Sequence, residues 1–445
     1  MNDNINRRPI HYLGSKLRIL DFIGKNVDAL EPTGGRVCDL FSGSGTVSTY
    51  FSMKRNVTAV DIQEYSRVLC SALLLPTSQV IESNDILYQL QASPHTAFLF
   101  STFRDLLEYE ENAICRCSEG SKECLYDIIE NGSIANFEIT NKCNSKMILC
   151  TILKETVDII FTLNLNNSPA AMMLRHFGGL YFSYKQALWL DAILELTFSQ
   201  SDDRKKNVML AAALSTASSI VNTIGKQFAQ PLQVISSNGK LKENLSTKIT
   251  NDRSLDTLAI YAEWLSFYVS AKQPPCRQNI IIRDDFRVAL KELRSSDVKI
   301  VYADPPYSRY HYSRYYHVLE TMSLRDNPTI STTFPNQTQI SRGVYRTNRH
   351  QSPFSIKSKA GKAFEQLFEG VSSIKVPLLL SYSPYPEKRA STPRMQTIDQ
   401  LFTLAKQYYN SIEVVSPGEF QHSKLNSTDK NFEAVDDAEL LLVCK

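Results

Sequence analysis

Short, wholly apolar runs and longer runs with helical spacing alternate at both ends of the chain, and a long stretch of helical spacing lies between them. Near the start, Leu20, Ile23, Val27 and Leu30 fall on one face of a helix that Ser15 is placed to cap and that Pro32, Gly34 and Gly35 end. The pattern then predicts a strand over 37–40, a helix over 44–53, a strand over 57–61 and a helix over 63–75, which together make one βαβ unit. From about 91 to 275 helical periodicity dominates, as in 183–194 and 208–221. Strand signals return from residue 279, with a buried run over 298–303 and further strands over 376–382, 411–415 and 439–444, the last three accompanied by a helix over 397–409. Such runs read as strands covered on both faces, so the fold class is α/β: one sheet interrupted by a large, mostly helical insert. The implied division is 1–90 and 276–445 for the two parts of the sheet domain, and 91–275 for the insert.

Composition narrows the function classes. A chain of 445 residues, 43% hydrophobic, can bury a sizeable core and is expected to form two or three domains. Its net charge of +3 is only mildly basic, so any binding of nucleic acid depends on local clusters of charge. No secretory pattern and no apolar run of membrane-spanning length is visible, and the expectation is a cytoplasmic protein with no membrane partner. Nine cysteines in that setting are expected as free thiols. Cys115, Cys117, Cys124, Cys143 and Cys150 lack paired CxxC spacing, so small packed thiols are preferred to a structural zinc and no metal is expected.

Asp304-Pro305-Pro306-Tyr307 carries the most chemistry. It follows the predicted strand 298–303, at a strand's carboxyl end, where open α/β sheets place ligands. A carboxylate and a backbone carbonyl can accept the two N–H groups of an exocyclic amine and sharpen its nitrogen as a nucleophile. The prolines hold the turn rigid, and the tyrosine offers a flat face for a base. A second signal is Gly43 and Gly45, which follow the strand 37–40 and let backbone approach a ligand at a helix start. Asp61 ends the next strand, placed to accept from two ribose hydroxyls. A third loop glycine is missing, which disfavours a pyrophosphate cofactor and favours S-adenosylmethionine. Lys16 sits at a helix start, where the dipole does not favour a cation; reaching the carboxylate of the cofactor's methionine moiety would give it a purpose.

With Tyr-Leu-Gly-Ser-Lys at 12–16, Asp-Leu-Phe-Ser-Gly-Ser-Gly at 39–45, Val-Asp-Ile at 60–62 and Asp-Pro-Pro-Tyr at 304–307, the chain resembles the Dam-like, D12-class family of adenine-specific DNA methyltransferases. The resemblance implies a Rossmann-like, S-adenosylmethionine-dependent methyltransferase sheet, with the helical insert as target-recognition domain. It implies cofactor contacts at Tyr12, Lys16, Asp39, Phe41, Gly43, Gly45, Asp61, Ile62, Asp285 and Phe286, with Asp284 as the fallback for Asp285. Asp304, Pro305, Pro306 and Tyr307 would be catalytic, acting on an adenine flipped from double-stranded DNA. An acid at 304 points to adenine, because related enzymes acting on cytosine's amine usually carry serine there. A cognate restriction endonuclease is a conceivable partner, and the oligomeric state is not indicated. The rival readings are a methyltransferase of RNA or of a protein amide, and a DNA-binding relative without activity.

Two basic stretches suit phosphate contact. Residues 308–317 mix Tyr, His and Arg after the tetrapeptide and give Arg309, Tyr310 and Arg314 as candidates. Residues 341–362 carry Arg342, Arg346 and Arg349 with three lysines and no acid, the pattern of a mobile loop that orders on DNA. Within the insert, 175–182 and 226–231 are candidates for base reading, against ordinary helix packing.

Overall fold

A computed structural model describes residues 7–75, 81–145, 148–236, 238–271, 277–308, 312–332, 340–383, 394–417 and 439–445. The chain forms two compact units, one of Met1–Ser78, Ala271–Ser313 and His350–Lys445, the other of Gln79–Ser270 and Arg314–Arg349.

The first unit is a seven-stranded mixed sheet. Its strands are β1 (Arg36–Leu40), β2 (Val57–Asp61), β3 (Ile280–Arg283), β4 (Val298–Ala303), β5 (Leu378–Tyr382), β6 (Ile412–Val415) and β7 (Leu440–Cys444). They lie in the order β3-β2-β1-β4-β5-β7-β6. Strands β1 to β5 run parallel, and β7 is antiparallel to both β5 and β6. The chain winds outward from β1 through β2 to β3, then resumes on the other side of β1 with β4 and β5, so the strand order reverses between β1 and β4. At such a reversal the loops leaving the two strands part and open a crevice beyond their carboxyl ends.

Period-two alternation assigns each strand residue to one of two cores. Val37, Ile300, Tyr302, Leu379 and Leu441 face one layer, where α1 (Leu20–Leu30) contributes Ile23 and Val27 and α2 (Thr46–Ser52) contributes Phe51. Cys38, Val301, Ala303, Leu378, Leu380 and Leu442 face the other, packed by Leu290 of the helix Phe286–Glu292 and by Phe364, Leu367, Phe368 and Val371 of the helix Lys357–Ile374. Coverage on both faces is why these strands carry no polar side to mark them as half-exposed.

Ser15 does not cap α1. A short 3₁₀ turn, Leu17–Ile19, precedes the helix, and Ile19 N donates to the Lys16 carbonyl at 2.9 Å, so the helix begins four residues beyond the reach of that serine's hydroxyl. The stretch 341–362, expected as one mobile loop, is also ordered differently where it is described. Its second half contains a 3₁₀ turn at Pro353–Ser355 and the start of the helix Lys357–Ile374, because Phe354, Ala360 and Phe364 are apolar anchors among the lysines.

In the second unit, the described residues form helices and isolated bridges. Tyr184–Phe198 and Asp203–Ile220 are buried on most sides, Ser183 closing a capping box with Gln186 and Asp202 capping the next helix. The described residues of 314–349, which sequence reasoning assigns to the C-terminal sheet part, pack within this unit. The helix His317–Leu324 lies against Asp203–Ile220, with Val318, Leu319 and Met322 buried.

The cysteine expectation needs one correction: Cys143 and Cys150 form a disulfide. The connection from the helix Ile134–Thr140 to the helix Leu149–Thr162 brings their Cα atoms to 5.7 Å, inside bridging range. Cys115 and Cys117 are free thiols, and no metal-binding cluster occurs among the described residues. Among those residues, too, no helix is long and apolar enough to cross a membrane.

A buried ion pair ties the helical unit together. Arg253 meets Glu110 at 2.5 Å and donates to the Gly179 carbonyl at 2.9 Å, while Tyr184 N donates to the other Glu110 oxygen at 2.6 Å. Removing one partner leaves the other charge in apolar surroundings, so Arg253→Met is expected to cost about 3–5 kcal/mol. The double variant Glu110→Met/Arg253→Met should recover most of that loss in urea unfolding of the full chain. Equal losses in the single and double variants would show that the pair contributes by shape alone.

Candidate active site

One cleft gathers the carboxyl ends of β1, β2 and β4 with the connections that follow them. Its empty space, open mouth included, is about 1040 Å³. Asp304, Pro305, Pro306 and Tyr307 line it, as do Asp61, Ile62, Asp285, Phe286, Phe41, Tyr12 and Lys16. The structure therefore brings the tetrapeptide and most of the expected cofactor residues into one space.

The glycine loop has an internal role as well as a position. Ser42 N donates to the Val60 carbonyl at 3.0 Å, Gly45 N to the Ser42 carbonyl at 2.8 Å, and Gly43 N to Asp61 Oδ2 at 2.9 Å. These three amides hold the loop to itself and to β2, and neither Gly43 nor Gly45 lines the cleft. Gly43 is required twice over: its φ is +52°, and a Cβ there would lie 2.6 Å from the Tyr12 hydroxyl. Asp61 also accepts from Gln63 N at 2.9 Å through its other oxygen. Each carboxylate oxygen thus has a backbone donor, and the Ser66 side chain adds a third hydrogen bond, so about one acceptor position remains. Asp39 does not line the cleft; it is buried behind it, accepting from Ser48 Oγ at 2.6 Å.

Three rings make the apolar wall. Phe41 stands edge-on to Phe354 at 5.4 Å and tilted to Phe286 at 5.7 Å, and Phe286 lies 5.2 Å from Phe354. Asp285 caps the helix Phe286–Glu292 through Arg287 N at 2.9 Å and pairs with the Arg287 guanidinium at 2.7 Å. Partial burial opposes its charge, yet Arg287 outweighs this and holds its pKa below the usual carboxylate value. Asp284 accepts from Asp285 N at 2.7 Å and lines the same wall.

The centre of charge at the tetrapeptide is Lys16. Its ammonium is 2.9 Å from Asp304 Oδ2 and 3.1 Å from Glu439 Oε1, with side-chain exposures of 3%, 19% and 0% respectively. Burial alone would lower the lysine's pKa, but the two carboxylates win and hold it well above its usual value. Ser381 on β5 donates to the same Glu439 oxygen at 2.5 Å. The Tyr307 ring carries the Arg394 guanidinium at 4.8 Å from its centroid and meets Tyr382 edge-on at 5.4 Å. Arg394 in turn donates to the Ser383 carbonyl and hydroxyl, at 3.0 and 2.8 Å.

Glu439, Arg394 and the wall from His350 to Ser355 had no motif to announce them; the only signal for the last was the His-Gln-Ser-Pro-Phe run inside a stretch read for its cations. The proposed phosphate contacts divide. Arg309 and Tyr310 lie outside the described residues. In the helical unit, Arg342 pairs with Glu130 at 2.8 Å and Arg346 is buried against Asp326. Arg314 and Arg349 lie over the Tyr345 ring. Of the base-reading candidates, Phe177, Tyr181, Phe182 and Phe228 are buried against one another, Arg175 pairs with Glu138 at 2.5 Å and Lys226 with Asp252 at 2.9 Å, while Gln230 is exposed.

Comparison with known proteins agrees with this geometry. Residues 12–149 match the model of the D12 class N6 adenine-specific DNA methyltransferases. A curated relative, "Modification methylase LlaI" of Lactococcus lactis subsp. lactis, is 24% identical over 442 residues, a match covering 98% of this chain and 55% of the relative. The chain therefore spans about half the length of the relative it matches.

Burial lifts Asp39 to a pKa of about 7, with Asp304 and Asp61 adding to the effect against the Ser48 hydrogen bond. Because the folded value lies above the unfolded one, folding takes up a proton between roughly pH 4 and pH 7, and stability is lost as pH rises through that window, on the order of a few kcal/mol. Asp39→Asn, which can still accept from Ser48, removes this dependence. Its stability relative to the unaltered protein should rise from pH 5 to pH 8 in thermal unfolding, whereas a difference flat across that range would mean that Asp39 ionises normally.

Proposed function

We propose that the chain, whose residues 12–149 match the D12 class N6 adenine-specific DNA methyltransferase model, acts as a member of that family and transfers a methyl group from S-adenosylmethionine to the exocyclic amine of an adenine, at a defined sequence in double-stranded DNA. On this reading the seven-stranded sheet is a Rossmann-like methyltransferase sheet, and the helical unit selects the target. The observation that carries the proposal is the Asp304 carboxylate at the end of β4, facing the same cleft as Asp61 and Phe286 and braced by Lys16.

The cleft fits such a cofactor. Asp61, Asp284, Asp285 and Asp304 outnumber the cation Lys16 in its lining, and burial lowers the pKa of His350 and disfavours its charged form, a balance that favours a cationic ligand and opposes a pyrophosphate. The ring wall of Phe41, Phe286 and Phe354 suits a flat heterocycle, and the remaining acceptor position of Asp61 suits a ribose hydroxyl. When bound, S-adenosylmethionine supplies a methyl group on a cationic sulfur. Asp304 and the Pro305 carbonyl would take the two N–H groups of the target amine and turn its lone pair toward attack. The Asp304 carboxylate then opposes positive charge growing on that nitrogen, a contribution larger at the transition state than before it. Lys16 keeps this acid fixed, and positioning supplies much of the remaining gain. The second acceptor comes from a proline-rigid turn rather than a mobile side chain.

The decisive experiment uses Asp304→Ala. Methyl transfer to DNA should fall by at least about 10²–10³-fold, the scale set by loss of one preorganised charge-stabilising group. Binding of S-adenosylmethionine, followed by calorimetry, should stay within a few-fold of the unaltered protein. Undiminished transfer in that variant would sink the assignment. Expression in a methylation-free bacterial host, with modified bases mapped by long-read sequencing, should reveal methylated adenine in one short motif.

A further inference from the structure

Four arginines in the last segment of the helical unit stand in two different electrostatic situations. Arg342 meets Glu130 at 2.8 Å and donates to the Leu232 carbonyl at 2.9 Å. Arg346 is buried, with Asp326 as its carboxylate partner. Both are balanced by acids inside the unit. Among the described residues, Arg314 and Arg349 meet no carboxylate. They share one aromatic ring instead: their guanidinium carbons lie 5.5 and 5.0 Å from the centroid of Tyr345.

That ring is a fixed platform. Its hydroxyl donates to the Ala229 carbonyl, and its edge meets the buried His317 ring at 5.0 Å and 80°. Gly343 gives it room, since a Cβ there would come within 2.4 Å of the ring. Arg349 is also tethered, donating from Nε to the Arg346 carbonyl at 2.8 Å. A tyrosine face offsets part of each positive charge, but it does not cancel the repulsion between two guanidiniums held near one ring. Partial burial and then the charge of Arg314 both lower the pKa of Arg349, with only the Tyr345 hydroxyl opposing them. Two restrained cations with no acid between them are an arrangement that an external anion completes. Guanidinium forks match phosphate oxygens in geometry as well as in charge.

We propose that Arg314 and Arg349, braced on Tyr345, clamp a backbone phosphate of the DNA. The proposal rests on the reading of the chain as a DNA methyltransferase and adds the contact that holds the duplex. Because the clamp takes phosphate, it contributes affinity and register without reading sequence.

The test measures the affinity of the full-length protein for a fluorescent DNA duplex across a salt series. Arg314→Gln and Arg349→Gln should each lower the magnitude of the slope of log K against log salt by about one, and the double variant by about two. S-adenosylmethionine binding and the thermal midpoint should be unchanged in all three. Arg342→Gln, whose arginine is already paired, should leave the slope as it is. An unchanged slope in the double variant overturns the clamp, as does an equal fall in Arg342→Gln. A larger effect of the pair on RNA than on duplex DNA overturns the assignment to DNA. If the unaltered protein binds no duplex at all, the proposed function fails with the clamp; if it binds and methylates while the slope ignores the pair, only the clamp fails.

Discussion

Two acids from different parts of the sheet can face each other in this protein only because an ammonium lies between them. Asp304 follows β4 and Glu439 precedes β7, two strands separated by β5, and Lys16 reaches both from the segment before α1. Glu439 is fully buried, and an ionised carboxylate so placed is tolerable only with a charged partner and hydrogen bonds, which Lys16 and Ser381 provide. The same contact sets the state of the tetrapeptide. An acid braced by a cation is oriented before any ligand arrives, as the proposed acceptance of an amine N–H requires. Sharing the ammonium with Glu439 leaves the group of three with a net negative charge, so Asp304 is not neutralised by the residue that holds it.

The sheet topology turns that local arrangement into a cleft. Reversal of strand order between β1 and β4 opens space at their carboxyl ends, and the connections after β1, β2 and β4 furnish its walls. Backbone donors in the glycine loop are spent on Val60, Ser42 and Asp61. With those amides occupied and four aspartates in the lining, ligand recognition falls to carboxylate acceptors and aromatic faces rather than to an amide cradle. This is a physical reason, independent of the missing third glycine, for a cofactor without phosphate.

The sequence made legible whatever is encoded within a few residues. Mostly apolar runs located the strands, as at 57–61 and 298–303, because the sheet's central strands are largely covered on both faces. Asp304 and Asp61 could be placed because each ends such a run. What stayed hidden depends on partners far along the chain. Glu439 is an unremarkable acid before a strand until Lys16, more than 400 residues earlier, lies beside it. Arg342 and Arg346 look like free cations in a stretch without acids, yet Glu130 and Asp326 lie elsewhere and neutralise them. Residues 175–182 offer the same mixture of cation and aromatics that a base-reading loop would, and only packing shows Phe177, Tyr181 and Phe182 to be core. Ser15 failed as a cap for a related reason: a 3₁₀ turn and an α-helix start share the same local pattern.

Charge composition conceals this organisation, because a net charge of +3 is an average over opposite local excesses. In the cleft, acids outnumber cations, and the cation nearest the tetrapeptide is shared between two of them. At Tyr345 the imbalance has the other sign, two guanidiniums on one ring with no acid among the described residues to meet them. Neither imbalance stabilises the fold: buried acids and crowded guanidiniums both cost free energy that the packed cores must offset. Arg253 with Glu110, Arg175 with Glu138 and Arg346 with Asp326 follow the opposite rule, each cation matched to an acid. Charge that is matched inside the protein holds structure, and charge left in excess at a defined place is available to a ligand of the opposite sign, which on the proposed function would be a sulfonium in the acidic cleft and a phosphate at the paired arginines.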